Sequence, residues 1–334
     1  MLPERPMLRL DAVSKTYGAA LRFPALWGGH GRISSPAVDN VSFDLPRGET
    51  FGLVGESGSG KSTLARIVTG LAAPSQGAVC FDGVNLTRLR TRAQWLPMRR
   101  RIQMIFQDPG SSLDPRWKVR DIIAEPIRTH SLRTSGAMTE RRVHEVLSLV
   151  GLSHRDGLRY PHEFSGGQRQ RISIARALAA EAEFIVCDEP TSALDVSIQA
   201  QILNILVDLQ REFGLTYLFI SHNLPVIGFV SHRIGVMYAG RLVECGVAQD
   251  VLENPAHPYT RALLETALRP DADAPHARVE EGAPPGWTDG CAFRSRCAVA
   301  MPECAQSAPG ATNFGVRSAA CHRPYTRNLI DTAA

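Results

Sequence analysis

The sequence predicts an α/β protein in which strands and helices alternate around a buried sheet. The continuous apolar run Phe184–Asp188 is typical of a strand that is buried on both faces in a parallel sheet, and the short apolar run Thr50–Val54 predicts a strand that leads into a glycine-rich loop. Helical patterns follow them over residues 61–71 and over Val196–Phe213. Strands that alternate with helices in this way indicate a layered α/β architecture.

The elements before the first buried strand are predicted from alternation and from turn residues. Residues 8–18 alternate between apolar and polar side chains, which predicts an edge strand that runs into a turn. Residues 18–36 are rich in Gly, Ala and Pro and predict a surface insertion. Residues 41–45 predict a second strand, and Pro46-Arg47-Gly48 predicts the turn that follows it.

The rest of the chain divides into a helical middle, a last buried strand and an appendage. Residues 108–159 are predicted to be mostly helical, and apolar residues spaced along residues 141–150 indicate an amphipathic helix. Residues 215–221 predict another buried strand. From residue 269 Pro, Ala, Gly and Cys dominate with little periodicity, so we expect an appendage rather than a second ordinary core.

The composition is that of a globular protein and argues against two classes of chain. Of the 334 residues, 44% are hydrophobic and 21% are charged, which is enough apolar material for a core. The net charge is only +4 and no basic stripe stands out, so we expect no nucleic-acid partner. No apolar run approaches the roughly 20 residues that cross a bilayer, and the start lacks a secretory pattern. We therefore expect a cytoplasmic protein.

The seven cysteines fall into two groups. Three lie in apolar surroundings, where a free cysteine behaves as a small buried hydrophobe: Cys80, Cys187 and Cys245. Four cluster near the C terminus: Cys291, Cys297, Cys304 and Cys321. In a reducing compartment such a cluster indicates a metal or iron–sulfur site more than disulfides.

A phosphate-binding loop is predicted directly after the first buried strand. The segment Gly55-Glu56-Ser57-Gly58-Ser59-Gly60-Lys61-Ser62 matches G-x-x-x-x-G-K-[ST], with a strand before it and a helix after it. Glycines let backbone N–H groups point at phosphates, and the helix start adds positive charge. We expect the whole segment, extended to Thr63, to bind nucleotide, with Lys61 on the β- and γ-phosphates and Ser62 on Mg²⁺.

The second buried strand ends in two acidic residues. Asp188 lies at its carboxyl end, where open α/β sheets bind ligands, and we expect it to hold the Mg²⁺ shell. Glu189 is placed to polarise an attacking water, a general-base role worth roughly 10²–10⁴-fold in rate. The alternative is that Glu189 only caps the next helix, because Pro190 and Thr191 also suit a helix start.

A second anion cradle is predicted before this strand. Small residues open a helix at Ser165, Gly166, Gly167 and Gln168, where free N–H groups and the helix dipole favour an anion. One nucleotide does not need two cradles in one chain. A second cradle is useful if it closes on a nucleotide that a neighbouring copy holds.

With these motifs in this order, the chain resembles the ATP-binding cassette (ABC) family, in which Ser-Gly-Gly-Gln is the signature motif. The resemblance implies that Tyr17 stacks on adenine and that Gln107 touches Mg²⁺ and senses a membrane subunit. It implies that Asp195 belongs to the D-loop and that His222 lies near the γ-phosphate. The family commonly has Asp after that histidine, whereas this chain has Asn223.

The resemblance also implies a fold and a domain division. It implies a P-loop NTPase (RecA-like) core with an N-terminal antiparallel β subdomain and a helical subdomain at about 108–175. This nucleotide-binding domain would span residues 1–268. A cysteine-containing extension would follow over residues 269–334.

Within the family the chain resembles the oligopeptide/dipeptide importer ATPases, in particular their F-type subunit, over residues 99–115, 192–201 and 254–263. The resemblance implies an ATPase that couples hydrolysis to uptake of di- and oligopeptides. Nickel, glutathione or another small solute are the alternative cargoes. A DNA-repair or chromosome-maintenance ATPase is a rival from another class, but no sustained heptads separate the phosphate motifs here. A regulatory module with a dead site is a third reading, and the intact Lys61 and Glu189 argue against it.

The implied partners follow from the same resemblance. They are a paralogous ATPase subunit or a second copy, two transmembrane permease subunits and an extracytoplasmic solute-binding protein. The implied location is the cytoplasmic face of the plasma (inner) membrane, with peripheral attachment. The implied cofactors are ATP and Mg²⁺.

The spacing of the terminal cysteines, C-x5-C-x6-C-x16-C, differs from common zinc sites and from the ferredoxin run. Some members of the subfamily carry a similar tail that looks like a [4Fe–4S] ligand set. A [4Fe–4S] cluster and, after it, Zn²⁺ are therefore the candidates, with free thiols or a disulfide as the alternative. Arg294 and Arg296 are expected to offset the charge of such a centre.

Overall fold

The structure is a computed structural model that describes residues 5–18, 36–133, 135–268 and 290–325. Twelve strands occur in the described residues: β1 Leu8–Lys15, β2 Val38–Leu45, β3 Thr50–Val54, β4 Gln76–Phe81, β5 Val84–Asn85, β6 Ile102–Ile105, β7 Phe184–Asp188, β8 Thr216–Ser221, β9 Arg233–Tyr238, β10 Arg241–Val247, β11 Thr312–Phe314 and β12 Arg317–Ala319. The expected insertion at 18–36 and the start of the appendage at 269–289 lie largely outside the described residues.

Eleven α-helices accompany these strands in the same ranges: α1 Lys61–Val68, α2 Arg92–Arg101, α3 Pro109–Ser112, α4 Val119–Thr129, α5 Gly136–Leu149, α6 Gly166–Ala179, α7 Val196–Phe213, α8 Leu224–Val230, α9 Ala248–Glu253, α10 Pro258–Leu268 and α11 Glu303–Gln306. None of the described helices combines the length and the apolar character that a membrane span requires. The alternation of strands and helices confirms the predicted α/β class.

The chain forms two compact units, of which the first is built mainly from Arg88–Ser221. Its strands pair in parallel in the order β6-β7-β8, so β7 is covered on both sides. All five residues of β7 are buried, as its continuously apolar sequence predicted. Helices α4, α5 and α6 pack on one another in this unit.

Amphipathic patterns account for the helical part of the first unit. The predicted stripe on α5 is confirmed, because Val143, Val146, Leu147 and the following Val150 are all buried. Helix α7 has the bounds that its periodicity predicted, and Gly214 ends it in a left-handed conformation at φ +63°. Strand β8 begins one residue later than predicted, at Thr216.

The second unit combines Arg9–Asp44, Phe51–Thr87 and His222–Ala334. Strand β3 pairs in parallel with β9, and β9, β10, β12 and β11 continue as antiparallel neighbours. A separate four-stranded sheet has the order β2-β1-β4-β5. Strands β1, β2 and β4 supply the N-terminal β portion that the sequence predicted.

Three local predictions in this unit were wrong. Strand β1 is an inner strand, because alternation reports one buried face (Leu8, Leu10) and not the number of neighbours. Helix α1 ends at Val68 and not at residue 71, because Gly70 adopts φ +71° and the next N–H groups turn back to Arg66. Cys80 is only half-buried, whereas Cys187 and Cys245 are buried as expected.

Candidate nucleotide-binding site

The predicted phosphate loop connects β3 to α1 in the second unit. Gly60 is the N-cap of α1 at φ +103°, and no side chain caps this helix start. A Cβ on Gly60 would lie 2.2 Å from the carbonyl oxygen of Ala37, so only glycine fits. Because Gly60 has no side chain, the N-cap of α1 supplies no competing acceptor of its own, and a helix start of this kind suits an anion.

Lys61 lies across this loop. Its Nζ donates to the carbonyl oxygens of Gly55 at 2.7 Å and Glu56 at 2.8 Å, and to Ser59 Oγ at 3.3 Å. The side chain is almost fully buried. The loop thus places an ammonium group among its own carbonyls, close to the helix start that carries Ser62 and Thr63.

The acidic residues lie at the carboxyl end of β7 in the first unit. Asp188 ends the strand and is buried. Glu189 adopts φ +48°, a left-handed conformation that costs a non-glycine residue of order 1 kcal/mol, and its N–H donates to Ile220 O at 3.0 Å. Backbone strain of this kind concentrates at functional sites.

Gln107 and Glu189 meet directly. Gln107 Nε2 donates to Glu189 Oε2 at 3.3 Å, although the two residues are far apart in the sequence. They meet because β6 and β7 are parallel neighbours whose carboxyl ends share one edge. The alternative role for Glu189, capping the next helix, is wrong, since α7 begins later and has Asp195 as its N-cap.

The predicted second cradle opens α6 in the first unit. Ser165 Oγ accepts the N–H of Gln168 at 3.3 Å, and Gln168 Oε1 accepts the N–H of Ser165 at 3.0 Å, which forms a capping box. Gly166 and Gly167 lie between the two partners. A Cβ on Gly167 would lie 2.3 Å from Ile198 Cγ2 of α7, so this glycine also serves close helix packing.

The remaining predicted site residues are placed as follows. Tyr17 is 48% exposed, and Lys15 Nζ lies 5.0 Å from its ring centroid. His222 follows β8, and Asn223 Oδ1 accepts the N–H of Val226 at 3.3 Å as the N-cap of α8. The departure from the family pattern at Asn223 is therefore a standard helix cap. Asp195 is exposed.

The site residues thus fall into two sets. The second unit contains Tyr17, His222 and the loop at 55–63, and the first contains Gln107, Asp188, Glu189, Asp195 and the signature at 165–168. Each set is assembled by strand ends or helix starts.

The four terminal cysteines line one small cavity, together with Phe293 and His257. Within the described residues all of them are free thiols, and no three His, Cys, Asp or Glu side chains are arranged to hold a metal ion. Burial raises the pKa of Cys321 to about 11 and also raises the pKa values of Cys291 and Cys297.

Sequence reasoning missed the partners of Glu56 in the phosphate loop. Both oxygens of its carboxylate accept from Arg296, at 2.8 and 2.9 Å, and its N–H donates to the hydroxyl of Tyr259 at 3.0 Å. The expectation that Arg296 offsets charge at the cysteines is therefore wrong, whereas Arg294 does line their cavity. The only sequence signal was indirect: Tyr259 lies in the family-typical stretch 254–263, and Arg296 precedes Cys297.

Comparisons with known proteins agree with this arrangement. Residues 38–192 match the ABC transporter family, and residues 243–304 match the family described as oligopeptide/dipeptide transporter, C-terminal region. The chain is 54% identical to the oligopeptide transport ATP-binding protein OppF of Bacillus subtilis (strain 168) over 73% of this chain and 80% of that protein. It is 49% identical to OppF of Escherichia coli (strain K12) over 82% and 83% of the two chains.

A solved structure extends the comparison to three dimensions. The dimeric post-hydrolysis state of the ATP-binding cassette MJ0796, bound to ADP and Pi, matches with a TM-score of 0.62 at 30% identity. The match covers 72% of this chain and 99% of that one. The rival assignment to DNA-repair ATPases has no support in these matches. The chain belongs to the ABC transporter family, as an ATP-binding and ATP-hydrolysing subunit of the group that carries the oligopeptide/dipeptide transporter C-terminal region.

Proposed function

We propose that this subunit hydrolyses ATP to drive the import of di- and oligopeptides. The observation that carries this cargo assignment is the 54% identity to a protein named for oligopeptide transport, together with the matching region at 243–304. Nickel, glutathione or another small solute are the alternative cargoes. An ATPase subunit does not itself recognise cargo, so the assignment rests on similarity and not on site geometry.

The phosphate loop is proposed to hold the ATP phosphates, and Tyr17 to stack on the adenine. Lys61 would transfer its hydrogen bonds from the loop carbonyls to the β- and γ-phosphates. Backbone N–H groups from Gly58 to Thr63 would complete the cradle. Glycines at the turns and the glycine N-cap of α1 support this role, because they let the backbone of the loop approach an anion closely.

Ser62, Gln107 and Asp188 are proposed to hold Mg²⁺. A hydroxyl, an amide oxygen and a carboxylate are the hard oxygen donors that Mg²⁺ prefers, so the residues fit the ion. When bound, Mg²⁺ neutralises charge on the phosphates. Glu189 is proposed to accept a proton from the attacking water, and His222 to contact the γ-phosphate. The Gln107–Glu189 hydrogen bond supports this, because it holds the proposed base at a defined place.

The signature at Ser165–Gln168 is proposed to seal ATP held by a partner subunit. The capping box supports it, because it fixes the helix start before any ligand arrives. The dimeric form of the similar cassette MJ0796 supports the same arrangement. The partner is proposed to be a paralogous ATPase or a second copy of this chain, with Asp195 and the exposed Val196 at the contact.

The wider assembly is proposed from the same relatives. It comprises two membrane permease subunits and an extracytoplasmic solute-binding protein, with this chain attached peripherally at the cytoplasmic face of the inner membrane. Gln107 is proposed to sense the permeases. The domain division at residues 268 and 269, with a helical subdomain at about 108–175, is retained as part of this proposal.

A [4Fe–4S] cluster on Cys291, Cys297, Cys304 and Cys321 is proposed as a structural element of the extension. Four thiols around one cavity fit a cluster by donor chemistry. Zn²⁺ on the same four thiols is the alternative, with free thiols or a disulfide after it. When bound, such a centre contributes folding free energy.

The cluster is tested by iron and sulfide analysis of anaerobically purified full chain. We expect about four irons per chain, lost in Cys304→Ser and retained in the matched control Cys80→Ser. A colourless, iron-free chain with a folded extension would contradict the cluster. Stoichiometric zinc in such a chain would assign the four thiols to Zn²⁺ instead.

The cargo is tested on the complex that the tagged full chain forms in its native membrane. After reconstitution into vesicles, we expect ATP-dependent uptake of labelled di- and oligopeptides and no uptake of nickel or glutathione. Lys61→Ala provides the inactive control. Uptake of nickel or glutathione but not peptides would assign the alternative cargo.

A further inference from the structure

The phosphate loop is held from outside by a segment that the family motifs do not include. We call residues 290–306 the cysteine loop. From it Arg296 extends to Glu56, and two parallel hydrogen bonds of 2.8 and 2.9 Å join the guanidinium to the carboxylate. Both side chains are about four-fifths buried, so solvent screens the pair only weakly.

A second contact reaches the backbone of the same residue. The hydroxyl of Tyr259 on α10 accepts the N–H of Glu56 at 3.0 Å, and Tyr259 is fully buried. The carbonyl of Glu56 accepts from Lys61 Nζ at 2.8 Å. Every polar group of Glu56 is thus engaged, and the chain of contacts runs from the cysteine loop to the phosphate-binding lysine.

Aromatic rings hold Arg296 and Tyr259 in place. The guanidinium of Arg296 lies 5.8 Å from the ring centroid of Tyr238 and 5.7 Å from that of Phe293. Phe293 is buried and lies 5.4 Å from the Tyr259 ring, centroid to centroid. Side chains that are packed in this way lose little further entropy when they bind a partner.

A buried carboxylate anchors the start of α10, the helix that carries Tyr259. Glu244 on β10 accepts the N–H groups of Ala256 and His257, each at 2.8 Å, which fixes the start of α10. His257 Nδ1 accepts the N–H of Tyr259 at 3.0 Å, and burial lowers the pKa of His257 to about 4, so its ring is a neutral acceptor. The cysteine loop is closed by the bond from Cys291 N to Cys304 O at 2.8 Å.

We propose that Arg296 and Tyr259 are positioning residues of the nucleotide site, through which the C-terminal extension holds the phosphate loop in its binding conformation. This inference rests on the proposed role of residues 55–63 in binding ATP. A loop that is ordered beforehand does not spend binding free energy on ordering, so its release weakens ATP binding. The proposed base for hydrolysis, Glu189, belongs to the other set, so we expect hydrolysis to continue once ATP is bound.

The test uses the full chain and measures the Kd of a fluorescent ATP analogue alongside the KM and kcat of ATP hydrolysis. We expect Arg296→Gln and Glu56→Gln each to weaken binding about tenfold, as for a bidentate, partly buried charge pair. KM should rise by the same factor while kcat stays within about twofold. The double variant should be no weaker than either single one, because both remove one interaction.

Three further variants separate positioning from general stability. Arg296→Lys keeps the charge but loses the bidentate geometry, so we expect partial recovery of affinity. Tyr259→Phe removes only the hydroxyl and should weaken binding by roughly threefold to tenfold. Arg261→Gln, which breaks an exposed ion pair with Glu265 on α10, is the matched control and should leave Kd unchanged.

Wild-type affinity in Arg296→Gln would overturn the inference, as would additive losses in the double variant or a fall in kcat with unchanged KM. A loss that simply follows a lowered Tm, and that Arg296→Lys does not recover, would also overturn it. If the unaltered chain itself failed to bind the analogue, the proposed role of the phosphate loop would fail first.

Discussion

Helices α1 and α6 both begin at small residues that are proposed to face phosphate, but they begin in different ways. Helix α1 has a left-handed glycine at its N-cap and no side-chain cap. Helix α6 has Ser165 and Gln168, which satisfy one another's backbone N–H groups. The start of α1 has no side-chain cap of its own and depends on tertiary contacts for its shape, whereas the start of α6 is capped by its own four residues.

The two helix starts differ in where the residues that stabilise them lie in the sequence. Glu56 in the first loop is held by Arg296 and Tyr259, which come from much later in the sequence. The signature at Ser165–Gln168 needs no such distant partner for its cap. The helix start that is proposed to hold nucleotide in its own loop is stabilised by distant residues, while the one that is proposed to dock on a partner's nucleotide is stabilised locally.

The largest expected effect on ATP binding comes from Gly60→Ala, which should disrupt the start of α1. A methyl group would lie 2.2 Å from the Ala37 carbonyl oxygen in a conformation that L-residues avoid, so the loop must move. We expect ATP binding in a fluorescence titration to fall by at least about 100-fold. Gly214→Ala is the control, because it has a similar backbone strain at φ +63° but open space around it. Unchanged ATP affinity in Gly60→Ala would show that the start of α1 does not require a glycine N-cap, which would remove the contrast with α6.

Glu189→Gln should separate holding ATP from hydrolysing it. The variant keeps the shape of the side chain and loses the proton acceptor, so we expect kcat to fall roughly 10²–10⁴-fold with ATP affinity retained. The expected trapped dimer can be followed by size-exclusion chromatography with ATP. Turnover near the wild-type level would contradict the assignment of Glu189 as the base.

Ser165→Ala tests the start of α6 alone. Loss of the serine cap should lower the free energy of unfolding by about 1 kcal/mol and weaken ATP-dependent dimerisation. ATP binding to the separate chain should not change. Ser135→Ala is a matched control, since Ser135 caps α5 by the same bond at the same 3.3 Å. Equal effects of both serine variants on dimerisation would argue against a role for the signature in closure.

The smallest expected effect is at the opposite end of β7, where no chemistry is proposed. Hydrogen bonds from Arg101 and Arg47 lower the pKa of Glu183 to about 2 from its ordinary 4.5. Because the folded-state pKa is the lower one, this stabilisation is present above about pH 4.5 and is lost as the pH falls towards 2. Glu183→Gln should therefore lose less stability than the wild type on acidification from pH 5 to 3.

The size of that difference should be at most about 1 kcal/mol, because the pair is partly exposed. Urea unfolding at each pH measures it, and turnover at neutral pH should stay unchanged. A variant as acid-sensitive as the wild type would mean that the ion pairs contribute nothing.

Much of the fold was predictable because it depends on short-range patterns. The bounds of β3, β7 and α7 follow from continuous or periodic burial. Predictions failed where a neighbour decided the outcome. Alternation in β1 could not reveal two flanking strands, and the end of α1 depended on a left-handed Gly70.

The same division applies to the site. Motif spacing predicted the phosphate loop, the acidic strand end and the second anion cradle, whereas the resemblance to the ABC family implied Tyr17, Gln107, Asp195 and His222. Parallel strands explain why Gln107 meets Glu189. The left-handed conformation of Glu189 and the Arg296–Glu56 pair had no local signal. Arg296 was expected to serve the cysteines, because the sequence shows only its neighbours along the chain.

By itself, the sequence determined the class of fold, because strand and helix patterns alternate along the chain. It also determined the phosphate loop, the acidic strand end and the self-capped signature helix, because each is specified by a short stretch of consecutive residues. The tertiary structure alone decided which distant groups hold the phosphate loop. The reason is physical: a hydrogen bond between Arg296 and Glu56 depends on how β9, α10 and the cysteine loop pack, and no local pattern encodes that packing.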